Sequence, residues 1–107
     1  MELAVACYSA TKTFPSSEVY GMTSQIRRSA ASIAANIAEG HGRENTGAFI
    51  QFLRITQGSL KELETHLILS GQVGLLGEAN LTPVLSKAED VGKMLRAMIR
   101  SLQRRTS

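Results

Sequence analysis

The sequence has no tryptophan, a single cysteine and two prolines, and aromatic side chains make up only 5% of its 107 residues. Each shortage closes off a class of protein. One thiol, Cys7, cannot close an internal disulfide, so the chain reads as a protein of a reducing compartment, the cytoplasm. Two tyrosines and three phenylalanines, several of them at core positions, give no platform for stacking bases, which disfavours sequence-specific single-strand recognition. No run of about 18 apolar residues is present, so no membrane span is expected. Glu2 stands where a secretory signal would carry a basic segment, so no such signal is expected. No stretch alternates apolar and polar residues for long enough to make a strand.

Catalytic groups are equally sparse. Cys7 sits on an apolar stretch with no basic neighbour closer than Lys12, the setting of an inert core thiol. With only His41 and His66 available, no Ser/His/Asp order can be read. Glu62 and His66 stand four apart, and Glu39 is the one other carboxylate placed to approach them. A di-iron bundle needs Glu-x-x-His pairs on two helices, and no second pair exists. The Gly40-His41-Gly42 turn follows a helix rather than a strand and lacks a Gly-Lys-Ser/Thr ending, so it is not a phosphate loop. His41 and Arg43 are then loop residues, Arg43 being placed to touch a partner. The expectation is a protein that is not an enzyme, with no catalytic residue, no metal site and no cofactor.

What is present is helical. With 43% hydrophobic and 20% charged residues the chain is globular, and at this length residues 1–107 form one domain. Leu3, Cys7 or Tyr8, Thr11 and Phe14 are spaced as one helix face over 2–13, ended by Phe14-Pro15. Ser16 or Ser17 can cap a second helix, which starts between Ser17 and Thr23 and runs to Glu39, with Gly40 as a left-handed C-cap. Asn45 or Thr46 caps a third, whose stripe is Phe49, Phe52, Leu53, Thr56, Leu60, Leu63 and Leu67. It ends between Ser70 and Val73. Gly58 in its middle costs about 1 kcal/mol against alanine and suggests a close backbone contact. Thr82-Pro83 opens a fourth helix, carried to about Gln103 by Leu81, Leu85, Ala88, Val91, Leu95, Met98 and Leu102. Short loops make this an all-α, antiparallel up-down-up-down four-helix bundle.

The second helix has three faces. Met22, Ile26, Ala30, Ile33 and Ile37 make an apolar stripe. Ala31, Ala34, Ala35 and Ala38 make a stripe of small side chains that lets another backbone approach, a candidate oligomer interface. Gln25, Arg28, Ser32, Asn36 and Glu39 make a polar stripe. One bundle core cannot absorb all three. If the second and third helices form a hairpin centred near residue 43, Gln25 and Arg28 lie level with Ser59 to Lys61. Arg28 then pairs with Glu62, with Gln25 and Ser59 adding hydrogen bonds in a structural network that fixes register.

The charge is unevenly spread. The net charge is only +3, but after Asp90 the chain carries Lys93, Arg96, Arg100, Arg104 and Arg105 and no acid. Lys93, Arg96, Arg100 and Arg104 share one helical face, and such a face can lie along phosphates. The competing reading is a solvated face whose charge suits a helix C-terminus.

A set of residues running through most of the chain carries a family resemblance: Phe14-Pro15, Glu18, Gly21, Thr23-Ser24-Gln25, Arg27-Arg28, Ser32, Asn36-Ile37-Ala38-Glu39-Gly40, Gly42-Arg43, Gly58-Ser59-Leu60 and Glu62-Leu63-Glu64. Together they resemble the four-helix-bundle proteins encoded in intervening sequences of bacterial 23S ribosomal RNA. Met22 replaces the usual leucine, and the first helix begins late against that pattern, so it should be short. The resemblance implies a ring-shaped homopentamer with a central channel. It also implies kinship to the accessory proteins of diversity-generating retroelements, which bind reverse transcriptase and RNA. Two functions are then expected. One is an oligomer that binds the RNA or DNA backbone through its last helix. The other is a scaffold subunit for a protein partner such as a reverse transcriptase.

Overall fold

The computed structural model describes residues 2–18, 21–42 and 45–106. Four helices succeed one another: α1 (Glu2–Thr11), α2 (Met22–His41), α3 (Thr46–Gln72) and α4 (Glu78–Thr106), with a 3-10 turn at Ser16–Glu18 between the first two. No strand occurs among the described residues, so the all-α expectation holds. Each helix packs on two others: α1 on α2 and α4, and α3 on α2 and α4. The result is a bundle measuring 48 × 22 × 18 Å. Ser32 meets Ser59, and farther down α2 Gly40 meets Phe49 and Phe52. Gly71 meets Leu81 while Leu60 meets Gly92. Residue numbers rise on one helix as they fall on its neighbour, so α2, α3 and α4 run antiparallel in turn.

The core is the one the periodicity picks out. Leu3, Cys7 and Phe14 from the first segment join Ile26, Ala30 and Ile33 of α2, Leu53, Leu60, Leu63 and Leu67 of α3, and Ala88, Leu95 and Leu102 of α4. Cys7, not Tyr8, faces inward; Tyr8 is exposed. Val84 and Ile99 are buried more deeply than Leu85 and Met98, so the inner face of α4 is turned slightly from the expected stripe. The buried hydroxyls are satisfied by their own helices: Thr56 donates to the Phe52 carbonyl and Ser70 to the His66 carbonyl, each at 2.8 Å.

Three boundaries and one expected close contact differ from the sequence reading, each for a physical reason. α1 stops at Thr11, whose hydroxyl donates back to the Cys7 carbonyl at 2.9 Å while the chain turns to bury Phe14. α2 does not stop at Glu39. It continues to His41 and is capped by Gly42 in right-handed conformation. Gly40 is buried inside the helix; a Cβ there would sit 2.9 Å from Phe49 Cδ1 and 3.2 Å from Phe52 Cβ. It is glycine because α3 crosses there, not because the backbone turns left-handed. Gly58, expected to mark a close contact, has nothing within 4 Å of an added Cβ. The close contact on α3 is at Gly71, which Leu81 approaches. Finally, α4 begins at Glu78, ahead of Thr82-Pro83, because the Gly77 carbonyl accepts from Asn80 and Leu81 N–H groups at 3.0 and 2.9 Å and closes an earlier turn. Pro83 lies inside the helix. Asn45 is the N-cap of α3, its side chain accepting from the Ala48 N–H at 3.0 Å.

Candidate nucleic-acid interface and the polar groove

Lys93, Arg96, Arg100 and Arg104 are all exposed, on the second half of a helix of 29 residues. At roughly 100° per residue they fall within one face. Arg96 also lines a cavity of about 570 Å³ between α3 and α4, with Gln57, Lys61, Glu64 and Glu89 around it. Two carboxylates therefore sit at the upper end of the stripe. Arg105 does not share this face. It lines a separate groove with Phe49, Ala97, Met98, Ser101 and Leu102.

The polar stripe of α2 divides. Its lower half makes a network: Asn36 Nδ2 donates to the Ser32 carbonyl at 2.8 Å and to Ser32 Oγ at 3.1 Å, and Ser32 Oγ lies 3.2 Å from Ser59 Oγ. Its upper half does not. Gln25, Arg28, Ser29, Ser32, Ser59 and Glu62 line one open groove of about 220 Å³, but among the described residues no ion pair joins Arg28 to Glu62. Both are exposed, so water solvates each charge, and Glu62, 58% exposed, lies instead 3.8 Å from His66 Nε2 on its own helix. The expected pair is thus corrected to two charges facing a common groove. The expected register is also off by about one turn: Ser32, rather than Arg28, stands level with Ser59. Glu39 lies at the far end of the stripe, on the surface.

Of the alanine stripe, Ala31, Ala35 and Ala38 are exposed and Ala34 is half-buried. The single protomer leaves them uncovered, along with Val5 at 64% and Val73 at 61% exposure. Arg43 lies outside the described residues. His41 is helical, not in a loop, and its ring tilts against Phe49 with centroids 4.9 Å apart.

One set of residues escaped the sequence reading. Arg27 Nε donates to Thr11 Oγ1 at 2.9 Å, and its guanidinium carbon lies 4.8 Å from the Tyr8 ring centroid. This clamp ties α1 to α2. The available signal was the Arg27-Arg28 doublet, in which only one arginine lies on the polar stripe.

The antiparallel helices, the deep glycine where α2 crosses α3, and the Ser32–Ser59 register define a small four-helix bundle of a specific pattern. The chain belongs to the 23S rRNA-intervening sequence protein family, whose model matches residues 1–97. A crystal structure from Bacteroides thetaiotaomicron, described as a protein of unknown function from the S23 ribosomal protein family, superposes with a TM-score of 0.82 at 26% identity, covering 92% of each chain. No curated protein is a significant match. No helix among the described residues is long and apolar enough to cross a membrane.

Proposed function

We propose that this protein is a non-enzymatic homo-oligomer, a pentamer by its resemblance to the family, that binds the RNA or DNA backbone through the exposed basic face of α4. The carrying observation is the run of Lys93, Arg96, Arg100 and Arg104 along one continuous helix with no acid after Asp90. Cations at a helical repeat match a phosphate backbone without reading bases, and a chain with two tyrosines, three phenylalanines and no tryptophan is poor in rings for base stacking. Assembly is supported by the alanine face of α2, on which Ala31, Ala35 and Ala38 are exposed and leave room for another backbone to approach closely.

The test is fluorescence anisotropy with labelled duplex and single-stranded RNA and DNA over a series of salt concentrations. Binding should be insensitive to sequence and fall steeply with salt. Replacing Arg96 and Arg100 together by glutamine should flatten the duplex slope by about 1.8, at roughly 0.9 per phosphate contact. A double variant that binds like its parent at every salt would leave the stripe as a solvated face. The second reading, a scaffold subunit for a protein partner such as a reverse transcriptase, would then stand first. It is favoured by the groove that Arg105 lines away from the stripe.

A further inference from the structure

α3 and α4 meet at Gly92, where a Cβ would lie 3.3 Å from Leu60 Cδ2. Counting outward from that contact along the two antiparallel helices, Lys61 comes level with Gly92, Glu64 with Glu89 and Gln57 with Arg96, each to within one residue. These residues and Leu60 line a cavity of about 570 Å³, the size of a small-molecule site. Its floor is Leu60 and Gly92, both buried, and Gln57 and Glu64 are half-buried in its walls. Arg96 folds back one turn into it, Nη1 coming to 3.5 Å from the place a Cβ would take at Gly92. The cavity therefore has two ends. Lys61 and the Arg96 guanidinium belong to the level of Gly92. Glu64 and Glu89 belong to a level three residues away, about 4.5 Å along the axis. Among the described residues no ion pair joins any two of these four charged groups.

We propose that this cavity binds a free α-amino acid with an aliphatic side chain. The lining carries two positive and two negative groups, so a simple anion or a simple cation is repelled at one end as much as it is held at the other. A molecule bearing both charges meets only favourable ends. The spacing selects among such molecules. Cations and carboxylates one turn apart match opposite charges held close together, the ammonium and carboxylate of a single α-carbon. Arg96 can take the carboxylate through two parallel N–H donors, with Lys61 and the Gln57 amide beside it. Glu64 and Glu89 accept from the ammonium. The Leu60 side chain and the methylene stems of Lys61 and Arg96 give the aliphatic part an apolar seat. The ligand thus completes ion pairs that the four groups do not make with one another. Arg96 is shared with the basic face of α4, but Glu64 and Glu89 set this site apart from it.

The probe is L-leucine, titrated into the protein by isothermal calorimetry. Leucinamide keeps the ammonium alone, and isocaproate keeps the carboxylate alone. Leucine should bind saturably and about tenfold more tightly than either analogue, since each analogue lacks one charge-assisted contact. Glu89→Gln and Lys61→Gln should each weaken leucine binding by about tenfold. Both residues are exposed, so circular dichroism should be unchanged. Glu64→Gln combined with Glu89→Gln should reverse the preference, isocaproate then binding more tightly than leucine. Residues that merely supported the bundle would not produce that reversal. Absence of saturable heat with leucine, equal binding of leucine and its analogues, or indifference to Glu89→Gln overturns the proposal. So does a fall in the protein's sedimenting mass on Glu89→Gln, which would make these charges a contact between copies of this chain. Glu89 is no part of the basic face, so these outcomes do not depend on whether that face binds nucleic acid.

Discussion

Two glycines in helices predict substitutions of opposite sign. Gly40→Ala puts a methyl 2.9 Å from Phe49 Cδ1 and 3.2 Å from Phe52 Cβ. The second of these atoms is close to a backbone and cannot swing away, so α2 and α3 must separate, at a cost of about 1–3 kcal/mol. Gly58→Ala meets nothing within 4 Å, and Gly74 is the sole glycine with positive φ among the described residues. At Gly58 the change should gain about 1 kcal/mol from helix propensity alone. Denaturant midpoints of the two variants should move in opposite directions. Cys7 gives a pH prediction. Burial pushes its thiol up from 9.0 to about 11. Below pH 9 the thiol is neutral folded or unfolded and contributes no slope. Between pH 9 and 11 the unfolded chain loses the proton that the folded chain keeps, so stability falls by up to roughly 2–3 kcal/mol over that window. Cys7→Ser should remove that component of the alkaline decline in urea melts. A thiol reagent at pH 8 should label the folded protein only as fast as it opens.

At the scale of the helices, what could be read from the sequence was what periodicity encodes. Ile26, Ala30 and Ile33, and Leu53, Thr56, Leu60, Leu63 and Leu67, repeat at three and four and face inward as expected. What could not be read was anything decided by a second helix. Gly40 carries the same letter whether it caps a helix or lets one pass, and only the position of Phe49 distinguishes these. The Ser32–Ser59 contact sets the register about a turn from the expected one, and in place of an Arg28–Glu62 pair the two residues line an open groove. Asn45, by contrast, acts through its own neighbour Ala48 and was legible. The Arg27 clamp is likewise a between-helix feature. It joins a charged donor on Thr11 to a cation–π contact on Tyr8, and α1 is a short helix that depends on it. Arg27→Ala should cost about 1–3 kcal/mol. Amide exchange should show the loss concentrated in α1, with α3 nearly unchanged; uniform loss across the bundle would mean that α1 does not open separately.

For the whole molecule, the exposed alanines and the basic face of α4 are separate surfaces, and their separation makes a test of how they combine. Ala35 is exposed in the protomer, so Ala35→Arg should leave the fold intact, with circular dichroism unchanged. If the alanine face is where copies meet, the added guanidinium cannot be accommodated there without loss of close backbone approach, and light scattering should show a smaller assembly. The same substitution adds a positive charge, which by itself would strengthen nucleic-acid binding. Loss of assembly acts the other way. On the proposed function, a single chain with a net charge of +3 would hold a strand weakly, whereas several linked α4 faces would bind one long strand together, with a gain on the order of 10²–10⁴ in avidity. The two effects separate by ligand length. On an oligonucleotide too short to reach a second protomer, Ala35→Arg should bind as well as the parent or slightly better. On a strand long enough to cross several protomers it should bind far more weakly. Equal loss on both lengths would mean that the alanine face itself touches the strand, and no loss on either would mean that assembly does not run through Ala35.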